Sequence, residues 1–177
     1  MTGEGRVVVC YDGSDAAEHG LAAAAALLPQ SPSIVLTAWK PIREMLAATS
    51  IGRAPEFSDA AKLDERQQQA AVDTARKGAE RARAAGLDAE PLVICASGPL
   101  WAAIEQAAAE RDAVLIVCGT SRGGLLHVMS DSLPAALTYR AARPVMVVPS
   151  AEATEVRRGE LAEWAEAAAR KRASASP

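Results

Sequence analysis

The strongest constraint on the fold is a pattern repeated near the two ends of the chain: an unbroken apolar run that empties at once into glycine and small polar residues. Val7-Val8-Val9-Cys10-Tyr11 leads into Asp12-Gly13-Ser14-Asp15, and Val114-Leu115-Ile116-Val117-Cys118 leads into Gly119-Thr120-Ser121-Arg122-Gly123-Gly124. Continuous apolar runs of this length fit strands buried on both faces, as in a parallel sheet. The second loop ends at a helix start, Ser130-Asp131-Ser132. Glycines, hydroxyls and a helix N-terminus together let backbone N–H groups converge on an anion. Two such edges on one sheet imply a crevice of the nucleotide-holding kind.

The rest of the chain alternates strand and helix signals. Strands are expected at Arg6 to Tyr11, Ser33 to Trp39, Glu90 to Ala96, Ala113 to Cys118 and Pro144 to Val148. The first helix starts at Ser14 or Asp15, with Asp15 and Glu18 at capping-box spacing, and stops at Pro29. A long polar helix spans Asp59 to Ala85, with Leu63, Ala70, Ala71, Gly78 and Ala82 near helical spacing and Gly86 as its stop. Pro41 to Ser58 has no clean period and reads as a loop. Further helices run from Pro99 to about Glu110 and from Ser132 to Ala142. The order βαβαβαβαβ predicts an α/β, Rossmann-like open five-stranded parallel sheet with helices on both faces. Residues 1–150 form this domain, and 151–177 add a C-terminal helical extension with a disordered end. In that extension Leu161, Trp164, Ala165 and Ala168 make one stripe, which packs either on its own domain or on a partner.

Composition removes several functions. The 177 residues carry a net charge of −3, which argues against a nucleic-acid partner. The apolar runs are too short to span a bilayer, and the start lacks a signal segment, so a cytoplasmic protein with no membrane partner is expected. Cys10, Cys95 and Cys118 read as reduced, buried core thiols. His19 and His127 lack ligand spacing to any cysteine, so no metal is expected. There is no P-loop lysine, no nucleophile elbow and no carboxylate cluster, so the chain is not expected to be an enzyme, beyond at most weak ATP hydrolysis. Trp39 and Trp101 read as packing residues.

Four motifs in order resemble the universal stress protein family. They are Val9-Cys10-Tyr11-Asp12-Gly13-Ser14-Asp15, Leu36-Thr37-Ala38-Trp39, Ile116-Val117-Cys118-Gly119-Thr120-Ser121-Arg122-Gly123 and Arg143-Pro144-Val145-Met146-Val147-Val148, with arginine where the family has cysteine. The resemblance covers roughly residues 5 to 149. It implies a role in stress tolerance or signalling and a homodimer, commonly through the last strand. It also implies, in members that bind ATP or AMP, contact of Asp12 with the adenosine and of backbone near Ala38 with the adenine. Phosphates would then meet Gly119, Gly123 and Ser132. Asp12 also reads simply as a turn and helix cap.

The glycine motif departs from the family pattern. Arg122 stands where its second glycine falls, Asp131 precedes Ser132 in place of glycine, and the segment from Gly119 to Ser132 is one residue shorter. A carboxylate about 4 Å from a phosphate costs on the order of 4 kcal/mol at an effective dielectric of 20, roughly a thousandfold in affinity. Arg122 with the hydroxyls of Ser121, Ser130 and Ser132 offers an anion site of another shape, suited to AMP, a cyclic nucleotide or another small anion. The expectation is a stress-type protein acting through ligand or protein binding, with a degenerate crevice giving weak or absent ATP binding. The alternative is a fully nucleotide-responsive regulator. An unidentified protein partner at the Trp164 helix completes the expected contacts.

Overall fold

A computed structural model describes residues 5–42, 57–121 and 132–174. Among the described residues ten elements follow in order: β1 (Arg6–Cys10), α1 (Asp15–Leu27), β2 (Pro32–Trp39), α2 (Phe57–Ala84), β3 (Asp88–Cys95), α3 (Leu100–Ala109), β4 (Ala113–Thr120), α4 (Leu133–Arg140), β5 (Val145–Pro149) and α5 (Ala151–Ser174). The strands form one sheet in the order β3-β2-β1-β4-β5, every neighbour parallel. Val9 sits opposite Val35 on one side and Val117 on the other, so the middle of β1 is the middle of the core. The expected fold class is thus the observed one, including the added C-terminal helix.

Side-chain alternation along the strands divides the interior into two layers. On one face Val7, Val9, Val35 and Val117 pack against α1 and α2 through Leu21, Ala24, Ala79 and Ala82. On the other, Val8, Ile34, Leu36, Ile116 and Cys118 pack against α3 and α4 through Ile104, Ala107, Ala108 and Leu137. Alanine dominates the helical contribution, which brings helix backbones close to the sheet. At Gly78 an added Cβ would stand 2.6 Å from the Tyr11 ring, so α2 crosses directly over that aromatic.

The helix starts and stops follow local chemistry, with one correction. Ser14 is the N-cap of α1, its hydroxyl accepting from the Ala17 N–H at 3.2 Å. Asp15 therefore lies inside the helix, and the expected Asp15–Glu18 capping box does not form. Glu18 is one position too far along for that role. It instead accepts from the Tyr11 hydroxyl and pairs with Arg81, tying α1 to α2. Gly86, at φ +99, ends the connection from α2 in a conformation open to glycine. The core face of α2 also differs from the expected stripe. Leu63 and Ala70 are exposed, while Ala60, Ala71, Ala75, Gly78, Ala79 and Ala82 face the sheet.

Two further expectations fail for simple reasons. Cys95 is exposed, not buried, because it ends an edge strand on its outward side. The α5 stripe does not pack on its own domain: Leu161 and Trp164 are 63% and 68% exposed. Its first turn meets the sheet edge through the buried Ala153. One turn before the stripe, the same face carries Arg157 and Arg158, so the apolar strip is short. The disordered end was expected from Ala173, yet α5 continues to Ser174. Most of the loop expected between Pro41 and Ser58 lies outside the described residues.

Candidate functional site

The strand order reverses between β1 and β4, because the chain builds outward to β3 and then returns to the other side of β1. In open α/β sheets ligands bind at such a switch point, beyond the carboxyl ends of the strands. A cleft of about 120 Å³ lies there, lined by Asp12, Ala38, Cys118, Gly119, Leu100 and Leu133 among others. Three sequence-predicted residues, Asp12, Ala38 and Gly119, therefore meet at one place.

Each arrives for a definable reason. Asp12 begins the turn after β1, and its Oδ1 accepts from the Ser14 N–H at 2.9 Å, with Gly13 at φ +80. The turn reading of Asp12 is thus realised. Its second oxygen has no partner among the described residues and remains available to a ligand hydroxyl. β1 pairs with β2 only as far as Cys10 opposite Leu36, after which the Tyr11 N–H donates to the Leu36 carbonyl. Backbone groups alternate sides along a strand. The Ala38 N–H and C=O therefore share Leu36's side and point where β1 has already ended. A donor and an acceptor at that spacing suit the edge of a purine.

Gly119 has a structural reason of its own. A Cβ there would overlap the Ala16 carbonyl and stand 2.8 Å from the Ala17 nitrogen. The glycine lets the first turn of α1 rest on β4, and Gly20, whose own added Cβ would be 3.3 Å from the Gly119 nitrogen, permits the same approach. Ser132 caps α4, its hydroxyl accepting from the Ala135 N–H at 3.4 Å. Ser121 is not in the cleft. It borders a separate hollow of about 250 Å³ with Ser14, Asp15, His19 and Glu152, whose two carboxylates disfavour an anion. Gly123, Ser130, Arg122 and Asp131 lie outside the described residues.

Sequence reasoning missed the thiols that line the cleft. Cys10 and Cys118 follow the paired Val9 and Val117 on adjacent strands, and both border it. Burial raises the Cys10 thiol far above its ordinary range, and the nearby Cys118 and Asp12 add to this. Burial alone pushes Cys118 up to about 11. Both stay protonated at neutral pH and are poor nucleophiles. The signal was legible in the equal two-residue spacing of Cys10 from Val8 and of Cys118 from Ile116, residues that share one face. Arg143, which stands where the family has cysteine, bridges α3 and β4. Its Nε donates to Glu105 Oε1 at 3.0 Å and its Nη1 to the Ala113 carbonyl at 2.7 Å.

Beside the cleft, a hollow of about 530 Å³ is lined by Lys40, Trp101 and Arg140 as well as by Leu100 and Leu133. The Arg140 guanidinium stands 5.3 Å from the centre of the Trp101 ring. Trp101 is thus a rim residue that holds a cation. No group of three or more His, Cys, Asp or Glu among the described residues could hold a metal ion. Nor is any described helix long and apolar enough to cross a membrane.

Fold and site together define a doubly wound α/β protein whose crevice lies at the switch in strand order. The universal stress protein family model matches residues 4–149, and the chain belongs to that family. A universal stress protein solved in complex with cAMP is 26% identical, with a TM-score of 0.56, covering 83% of this chain and 98% of its own. One from Archaeoglobus fulgidus is 25% identical at a TM-score of 0.58, covering 81% of this chain and 93% of its own. A family member from Burkholderia pseudomallei is 22% identical at 0.60, covering 81% and 95%, and shares the fold. No curated protein matches the chain by sequence.

Proposed function

We propose that this protein acts in stress tolerance or signalling by binding, with an adenine-nucleotide crevice that favours a ligand of low charge over ATP. The observation that carries this reading is the convergence of Asp12, the free edge of Ala38 and Gly119 on one small cleft at the switch point. The 26%-identical relative solved with cAMP supports an adenine ligand. Asp131 and the shortened glycine segment act against a triphosphate. Binding in place of turnover is favoured by the protonated thiols in the cleft wall and by the position of His19, whose Nδ1 is 2.7 Å from the Asp15 carbonyl and which borders the separate hollow.

The test is to quantify nucleotide released on denaturing the purified protein, then to titrate the emptied protein calorimetrically with ATP, AMP and cAMP. The expected result is tighter binding of AMP or cAMP than of ATP. ATP binding at least as tight as AMP would favour the fully nucleotide-responsive alternative. Silence with all three would remove the crevice from the function.

The second part of the proposal is a cytoplasmic homodimer. β5 is an edge strand with one side unpaired, and its Val147 is 36% exposed. The exposed Leu161 and Trp164 of α5 offer a further contact for a protein partner. Light scattering after chromatography should report a dimer that Val147→Lys dissociates. The Leu161→Ala, Trp164→Ala double variant should keep the melting temperature of the domain while losing any partner contact at α5. A monomeric wild type would rule out the dimer.

A further inference from the structure

From the hollow beside the cleft, we infer that the crevice takes a nucleoside monophosphate whose phosphate lies between Lys40 and Arg140 and not on the glycine loop. This rests on the nucleotide reading of the cleft given above. The two cavities adjoin, with Leu100 and Leu133 in the walls of both. The cleft alone is below the ~300–1,000 Å³ usual for small-molecule sites, and the two together fall within it. A ligand that fills only the cleft leaves the larger chamber to water.

The chemistry of the second chamber is one-sided. Among the described residues its lining holds two cations and no carboxylate. Among the described residues neither Lys40 nor Arg140 forms an ion pair with an acid. Lys40 follows β2 directly, two residues beyond Ala38, and lines the second chamber. Arg140 ends α4 and is held at 5.3 Å over Trp101, which limits its freedom and leaves its edge N–H groups for an oxyanion. On the glycine side the sequence supplies a repulsive charge, Asp131, where backbone would otherwise approach. The chamber with the cations adjoins the cleft that Asp12 lines.

The inference is tested by calorimetric titration of the full chain with adenosine and with AMP, at low and high salt. AMP should bind about tenfold tighter than adenosine, the gain that half-buried Lys40 and exposed Arg140 supply together, and the preference should shrink in salt. In the Lys40→Gln, Arg140→Gln double variant the preference should vanish while adenosine affinity is kept within about twofold. Lys40→Gln alone, which removes no ring contact, should lose part of the preference with an unchanged melting temperature. Equal affinities for adenosine and AMP in the wild type, or a preference that survives the double variant, would overturn the phosphate placement while leaving the cleft intact. Failure of the wild type to bind either compound would instead overturn the nucleotide reading, and the inference with it.

Discussion

Gly119 separates two explanations of a glycine at the edge of a crevice. If it serves only close approach of a ligand, Gly119→Ala should cost affinity and leave the empty protein as stable as before. The structure supports the other explanation. The added Cβ would overlap the Ala16 carbonyl and stand 2.8 Å from the Ala17 nitrogen, and these are main-chain atoms of the first turn of α1. Flexible side chains could turn aside; a capped helix start must move as a body. Moving it would loosen Ala17, Leu21 and Ala24, all buried against the sheet. Overpacking a close contact costs ~1–3 kcal/mol, and the upper end applies where both sides are backbone. At about 2–4 °C per kcal/mol for a chain of this size, the melting temperature should fall by about 6–12 °C. Differential scanning calorimetry without ligand measures this directly. Gly20→Ala, whose Cβ meets the Gly119 nitrogen at a tolerable 3.3 Å, should cost clearly less. A Gly119→Ala melt within roughly 2 °C of wild type would refute the packing argument.

Other consequences are read from single residues. Glu105→Ala removes the partner of Arg143 where both side chains are only 16% exposed, and also the acceptor of the Ala142 N–H. A loss of about 3 kcal/mol in urea unfolding is expected, with Glu105→Gln losing less than half of that because an acceptor oxygen is kept. The raised Cys118 thiol keeps its proton in the fold after the unfolded chain has lost its own at the ordinary value of 9.0. The stability it contributes is complete below pH 9 and is lost as pH climbs to about 11. Wild-type stability should therefore decline over that window by on the order of 2–3 kcal/mol from this group, with the half-buried Cys10, whose thiol is also raised, adding to the slope and Cys118→Ala flattening it. Maleimide labelling of the native protein at neutral pH should modify Cys95 quickly and leave Cys10 and Cys118 until denaturant is added. Fast native labelling at Cys118 would contradict its buried position.

What could be read in the sequence was whatever the local chain enforces. The runs Val7-Val8-Val9 and Leu115-Ile116-Val117 have no other use than a strand covered on both faces, so sheet, order and fold class followed from them. Gly86 and Ser14 announced their turns because a positive φ and a free hydroxyl at a helix start are properties of single residues. Errors arose where a distant contact decides. Glu18 has a capping glutamate's spacing, yet Tyr11 and Arg81 claim it, and Arg81 comes from a helix no local window includes. Leu63 fits a helical stripe, but the close sheet contact of α2 is made by alanines and Gly78, so the larger side chain stays outside. In the site, Asp12, Ala38 and Gly119 were legible because they sit beside strand ends. The Lys40, Trp101 and Arg140 chamber was not, since β2, α3 and α4 meet only in three dimensions.

Gly119 and Asp131 belong to one motif, yet they answer to different pressures. The first is fixed by the packing of α1 on β4 whether or not a ligand is present. The second stands where the family pattern has the glycine that precedes the helix-starting serine. A chain can therefore keep the first glycine for helix packing and lose the other, so the presence of Gly119 does not by itself predict nucleotide affinity. The crevice that results has an apolar wall, a free backbone edge at Ala38, one carboxylate oxygen at Asp12 and, in the adjoining chamber, the cations Lys40 and Arg140. If the crevice holds a nucleotide as proposed, such a distribution of charge would discriminate among nucleotides by where their phosphates can go, with the unpaired cations Lys40 and Arg140 favouring a single phosphate in the second chamber.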